Sequence, residues 1–259
     1  MPTRFLIVAA LLGLLTVIVT AIISNPVPDE DRDAYALIYW IRDNRMTWVE
    51  NVRGNAGYDV SQPEIRAVTA VKTLHLARAD FVTTLPSEIA LMSEVWELSL
   101  GGTAIEVLPP EIGQLEHLEY LYLSDTSLRE LPPEIGNLHR LKVLDLGESP
   151  ITELPPEIGN LSSLEQLDLS GTQIRELPPE IAHLPNLRVL NLSRTPINAL
   201  PPEIAALQQL ERLDISHTGI TEFPLALVEM QSLRVISLVG TPVTEYPPEM
   251  EQSATMIFR

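Results

Sequence analysis

Residues 131–153 read LPPEIGNLHRLKVLDLGESPITE, and residues 154–176 read LPPEIGNLSSLEQLDLSGTQIRE. The block before them, LPPEIGQLEHLEYLYLSDTSLRE at 108–130, has the same form. A strict period of 23 residues decides the architecture, because each copy is one coil of a stack and touches chiefly its neighbours. Leu85, Leu108, Leu131, Leu154, Leu177, Leu200, Phe223 and Tyr246 open successive copies. Pro63-Glu64-Ile65 lies 24 residues before Ser87-Glu88-Ile89, so the first coil is one residue longer. The array is therefore expected to fill residues 61–259 with about eight repeats.

Each copy has two halves. The Leu144-Asp145-Leu146 core and its equivalents alternate with period two, which turns the leucines inward and the residue between them outward, as in a short strand. Stacked, these strands form a parallel sheet on the concave wall of an arc. The spacing predicts eight of them, centred near Leu74, Leu98, Leu121, Leu144, Leu167, Leu190, Leu213 and Ile236. The Pro-Pro-Glu-Ile half starts a short helical turn on the convex side, where proline's missing N–H is not needed and glutamate suits the positive helix end.

The stretch Leu141-Lys-Val-Leu144-Asp-Leu146-Gly-Glu-Ser149-Pro-Ile151 resembles the leucine-rich-repeat signature L-x-x-L-x-L-x-x-N-x-L. The LPPEIGxL half resembles the repeats of Ras-scaffold-type and bacterial leucine-rich-repeat proteins. The resemblance implies an α/β solenoid, a curved right-handed superhelix with a parallel concave sheet, and partner binding through that sheet. One position departs from the family. The usual asparagine is replaced by Thr103, Thr126, Ser149, Thr172, Thr195, Thr218 and Thr241. An amide both donates and accepts, whereas a hydroxyl has one proton to give. A weaker ladder between coils is expected there.

Residues 5–23 (FLIVAALLGLLTVIVTAII) are 19 residues without a charge. As a helix they span about 28 Å, close to the hydrocarbon thickness of a bilayer. Arg4 precedes the run and Asp29-Glu30-Asp31 follows it, which places the amino terminus in the cytoplasm and the repeats outside. Residues 1–24 thus read as an uncleaved signal-anchor, with a cleaved signal peptide as the alternative; in that case the protein is secreted. Residues 25–33 are a polar spacer. Ala34, Leu37, Ile38, Ile41, Met46, Trp48 and Val49 then fall at helical spacing, so residues 25–60 are expected to hold a helical cap over the first coil. At the other end, EQSATMIFR looks too short for a substantial cap.

The chain has no cysteine. That excludes a lipidated cysteine and the disulfide caps of many secreted relatives. Export without cysteine points to a bacterium. The formal net charge is −18, which disfavours nucleic acid. No HExxH pair, GxSxG, phosphate-binding glycine loop or kinase signature occurs. No enzyme activity, cofactor or metal site is expected.

The expected function is therefore a non-catalytic, membrane-tethered, extracytoplasmic module that recognises a protein partner. The alternative is a structural or cell-envelope protein that self-associates or contacts the cell wall. Outward strand positions combine tyrosine, valine and carboxylate, the mixed character of an interaction surface, with tyrosine and arginine as anchors. The candidate partner-binding residues are Tyr120, Tyr122, Val143, Asp145, Asp168, Val189, Asn191 and Arg212.

Overall fold

The computed structural model describes residues 71–79, 82–252 and 255–259. The apolar run at 5–23 and the cap expected at 25–60 lie outside these residues. Among the described residues, no helix is long and apolar enough to cross a membrane.

Among the described residues, nine three-residue strands form one parallel sheet in sequential order. They are β1 (Thr73–His75), β2 (Glu97–Ser99), β3 (Tyr120–Tyr122), β4 (Val143–Asp145), β5 (Gln166–Asp168), β6 (Val189–Asn191), β7 (Arg212–Asp214), β8 (Val235–Ser237) and β9 (Met256–Phe258). The predicted leucine centres pair in register: Leu98 with Leu121, Leu121 with Leu144, Leu144 with Leu167. These centres are buried, as are the leucines two residues on, such as Leu123, Leu146 and Leu169. One continuous core thus runs through all the described coils.

The convex side is built of 3₁₀ turns, including Pro110–Gln114, Pro133–Asn137, Pro156–Asn160, Pro179–His183 and Pro202–Ala206. Bonds from residue i+3 to residue i close each one; in the second, Ile135 N–H donates to Pro132 C=O (3.0 Å) and Leu138 N–H to Ile135 C=O (3.1 Å). The tighter helix suits so short a segment, which must return to the core within five residues. Its isoleucine, Ile135 in this coil, is fully buried.

The residue after that isoleucine sets how closely coils approach. It is Gly113, Gly136 and Gly159 in three coils, Ala90, Ala182 and Ala205 in others, and Val228 in the last. A Cβ placed on Gly136 would stand 2.6 Å from the carbonyl oxygen of Glu157, and one on Gly159 2.6 Å from that of Glu180. In the glycine coils the outer turns therefore pack backbone against backbone.

The carboxyl end departs from expectation. Instead of a copy that stops, the chain forms a helical turn α1 (Pro248–Gln252) and the strand β9. Ile257 pairs with Ile236 after 21 residues rather than 23, so the last coil is shortened but complete. Several contacts hold it, including a bond from Leu238 N–H to Phe258 C=O (2.8 Å). Thr255 Oγ1 donates to Leu233 C=O (2.8 Å), Met256 N–H donates to Arg234 C=O (2.7 Å), and the Arg259 guanidinium lies 4.2 Å over the Tyr246 ring. The apolar alternation of Met256-Ile257-Phe258 is a strand signal too short to stand out in the sequence.

Two columns explain how the strands end. The first is a left-handed residue after each of β1 to β8: Arg78, Gly102, Asp125, Glu148, Gly171, Arg194, His217 and Gly240, with φ between 55° and 72°. In each of the first seven, the N–H donates to a carbonyl of the next coil, as from Glu148 to Ser170 (2.6 Å) and from Arg194 to Ser216 (2.8 Å). That inter-coil bond fixes the conformation whatever the side chain. Only three of the eight are glycine, so the other five hold a conformation that costs an L-residue about 1–2 kcal/mol.

The second is the buried hydroxyl column. The hydroxyls of Thr103, Thr126, Thr172, Thr195, Thr218 and Thr241 each donate to the carbonyl three residues back, at 2.6–2.9 Å. These bonds close the turn within one coil. Only Ser149 reaches a neighbouring coil, donating to Leu123 C=O (2.8 Å) and lying 3.0 Å from Thr126 Oγ1. The threonine hydroxyls thus cap their own coil, and Ser149 alone donates to a backbone carbonyl of its neighbour.

Candidate concave interaction surface

Two lanes of side chains face out from the sheet. The first position of each strand gives Thr73, Glu97, Tyr120, Val143, Gln166, Val189, Arg212 and Val235; the third gives His75, Ser99, Tyr122, Asp145, Asp168, Asn191, Asp214 and Ser237. All are exposed or half-buried. The eight residues singled out above lie on β3 to β7 of this one surface. Tyr120 pairs laterally with Val143, Tyr122 with Asp145, Asp145 with Asp168, and Val189 with Arg212.

Three of the eight also do local work. Asp145 Oδ1 accepts from Gly147 N–H (3.0 Å), Asp168 Oδ1 from Ser170 N–H (2.8 Å), and Asn191 Oδ1 from Ser193 N–H (3.1 Å). Asp214 does the same for Ser216 (2.9 Å). A short acidic or amide side chain here closes a turn over its own backbone, so the column of aspartates is needed by the fold before any partner. Asn191 further donates from Nδ2 to Asp168 Oδ2 (2.9 Å). Burial holds the Asp145 carboxyl above its ordinary range; hydrogen bonds from Gly147 and Ser124 oppose this, and the charge of Asp168 reinforces it.

A third lane, one residue before each strand, escaped the sequence reading. It runs Trp96, Glu119, Lys142, Glu165, Arg188, Glu211 and Arg234. From Glu119 onward the charges alternate in sign. Lys142 Nζ lies 2.7 Å from Glu119 Oε2, and Arg188 Nε donates to Glu211 Oε1 (3.0 Å). Neighbouring coils bring these residues side by side, so the 23-residue period itself carried the signal. Along this edge the surface is electrically balanced.

At the amino-terminal end of the same lane, Trp96 replaces a charge. Its ring meets Tyr120 edge to face, with centroids 5.8 Å apart and planes at 79°. Trp96 stays 38% exposed. With Tyr122 it completes an aromatic group formed by β3 and the residue before β2. Burial raises the Tyr122 hydroxyl above its usual range, with Glu97, Tyr120 and Asp145 contributing. No group of three or more potential metal ligands occurs among the described residues.

This is the architecture of a leucine-rich-repeat solenoid with an open concave face. The family model for a leucine-rich repeat region matches residues 133–188, and two further leucine-rich-repeat models match 185–243 and 117–138. A solved leucine-rich-repeat protein of Leptospira interrogans is 30% identical, with the match covering 76% of this chain and 56% of that one at a TM-score of 0.66. Residues 117–243 thus carry leucine-rich repeats that three family models recognise. Two further structures share the fold. A TDR receptor is 23% identical over 75% of this chain and 39% of its own (TM-score 0.64). An internalin of Listeria monocytogenes is 21% identical over 77% of this chain and 56% of its own (TM-score 0.63). The match therefore spans roughly half, or less, of each of these proteins. No curated protein matches the sequence. Leucine-rich-repeat proteins are generally non-catalytic protein-interaction modules, and the fold suggests that role here.

Proposed function

We propose that this chain is a non-catalytic module that recognises a protein partner through its concave sheet. Residues 5–23 tether it to a membrane, and the repeats stand on the extracytoplasmic side. The observation that carries the binding role is the surface of β3 to β7. There Tyr120, Tyr122, Val143 and Val189 present half-buried apolar area among Asp145, Asp168, Asn191 and Arg212. That mixture is typical of an interface, with tyrosine and arginine as its usual energetic anchors. The tether rests on the uncharged run at 5–23 and the charges that flank it.

Affinity capture with the full-length chain as bait tests the binding face. A partner retained by the wild type should be lost from Tyr120→Ala/Tyr122→Ala/Arg212→Ala and kept by the convex changes Glu134→Lys and Glu157→Lys. The opposite pattern assigns binding to the convex side. Protease added to spheroplasts should remove the repeats if they stand outside the membrane; protection of intact repeats would reverse the topology.

One observation favours self-association as a second reading. Met256 and Phe258 on the last strand are 59% and 52% exposed, and apolar edge strands invite pairing with another chain. Phe258→Lys should then reduce assembly seen by sedimentation velocity.

A further inference from the structure

We propose that Trp96, Tyr120 and Tyr122, with Glu97 and Asp145 beside them, form a seat for an arginine or lysine side chain of the protein partner. This rests on the reading of the concave face as the binding face.

Three observations lead there. First, sheet register places the residues in a compact grid. Tyr120 stands between Glu97 and Val143, and Tyr122 between Ser99 and Asp145. Adjacent strands are about 4.8 Å apart, so each tyrosine has a carboxylate in the neighbouring row. The small Ser99 leaves the amino-terminal flank of Tyr122 uncrowded.

Second, the Trp96 and Tyr120 rings meet edge to face, and Trp96 stays 38% exposed. A cation over an aromatic face gains about 0.5–2 kcal/mol, most over tryptophan.

Third, the carboxylates here lack a permanently charged cation, and Asp145 accepts only from the neutral donors Gly147 and Ser124. Elsewhere on the sheet Glu119 holds Lys142 and Glu211 holds Arg188. Among the described residues no lysine or arginine forms an ion pair with Glu97 or Asp145. His75 approaches Glu97 at 3.9 Å, a contact that carries charge only when the imidazole is protonated. Lys72 lies one coil back on the Trp96 lane, its carbonyl accepting from Trp96 N–H (2.9 Å), and forms no ion pair among the described residues. Burial is the main cause that raises Tyr122 and Asp145, and neighbouring carboxylates add to it in the same direction. A partner that supplies the missing cation completes both the electrostatics and the aromatic contact, which an anionic or purely apolar partner does not.

The test is calorimetric titration of the full-length chain, held in detergent micelles, with a hexapeptide containing two arginines and with its citrulline isostere. The citrulline peptide keeps the shape but loses the charge, and a carbonyl acceptor replaces one of the guanidinium's donor nitrogens. The arginine peptide should bind at least tenfold more tightly. Tyr120→Leu/Tyr122→Leu should weaken it fivefold or more, and Glu97→Gln/Asp145→Asn by a similar factor, with melting temperatures near wild type. Glu153→Gln, elsewhere on the surface, should leave binding unchanged. Equal affinity for the two peptides overturns the proposal, and so does undiminished arginine binding by a folded leucine variant. If the peptides bind alike but a captured partner still loses affinity on Tyr120→Ala, the cation seat is wrong and the concave reading stands. If neither peptide nor partner responds to any concave change, both are wrong.

Discussion

Glu148 and Arg194, 46 residues apart, form an ion pair of 3.1 Å (Oε1 to Nη1) across the coil that lies between them. Both occupy the left-handed column, and the residue they pass over is Gly171, at φ 67°. A Cβ on Gly171 would stand 2.5 Å from Glu148 Oε2. The glycine thus opens a gap through which two alternate coils touch.

Gly171→Ala should therefore be costly through the left-handed backbone, whereas the exposed Glu148 carboxylate that its methyl meets can swing aside. A loss of about 1–3 kcal/mol is expected in urea unfolding. Arg194→Ala removes only an exposed ion pair and should cost about 0–1 kcal/mol. Equal losses from the two changes would mean that the pair, rather than the glycine conformation, governs this site.

On the convex side, Gly136→Ala should destabilise by about 1–3 kcal/mol, because its methyl meets the Glu157 carbonyl, a backbone atom that cannot swing aside. The reverse change at Ala182, to glycine, should be far milder. Thermal unfolding of the two variants provides the comparison.

Leu144 is fully buried and Asp145 half-buried on the same strand. Leu144→Ala should cost about 2–5 kcal/mol, and Leu144→Asp should prevent folding of the middle coils by burying a charge. Asp145→Ala should not be silent, since it leaves Gly147 N–H without its acceptor; about 1 kcal/mol is expected. Asp145→Asn keeps an acceptor there, as Asn191 already does in its own coil, and should be tolerated better.

The same residue gives a pH dependence. Burial raises the folded-state affinity of Asp145 for its proton, so folding takes up a proton in the window just above the ordinary aspartate range. The contribution of Asp145 to stability then falls as pH rises through that window and recovers as pH falls. Asp145→Asn should remove this slope. Urea midpoints of wild type and variant, compared from the ordinary aspartate range towards neutrality, should converge at the acid end and separate in favour of the variant above it.

What could be read from the sequence was whatever repeats in the same residue type. Leucine at 98, 121, 144 and 167 carries the strand centres because burial demands an apolar side chain at every one. The left-handed column was invisible for the opposite reason. Its repeated property is a backbone angle enforced by a hydrogen bond to the next coil, so a guanidinium at Arg78, carboxylates at Asp125 and Glu148 and an imidazole at His217 all occupy it. The balanced lane from Glu119 to Arg234 repeats an alternation of sign, which a search for constant columns passes over. Trp96 went unnoticed because it stands one residue ahead of its strand. The aspartates were legible as outward-facing residues, whereas their turn-closing bonds required the strand to end where it does.

The glycine, alanine and valine of the convex turns have a consequence for the shape of the cradle. Strand spacing on the inner wall is set by hydrogen bonds and varies little, so each coil behaves as a wedge whose outer thickness alone is adjustable. Glycine at 113, 136 and 159 makes thin wedges, and alanine at 182 and 205, then valine at 228, make progressively thicker ones. The arc should accordingly open flat around Tyr120, Tyr122 and Val143 and tighten towards Arg212. A ligand that fits it would rest a broad, gently curved shoulder against the aromatic end and a narrower one against the arginine end.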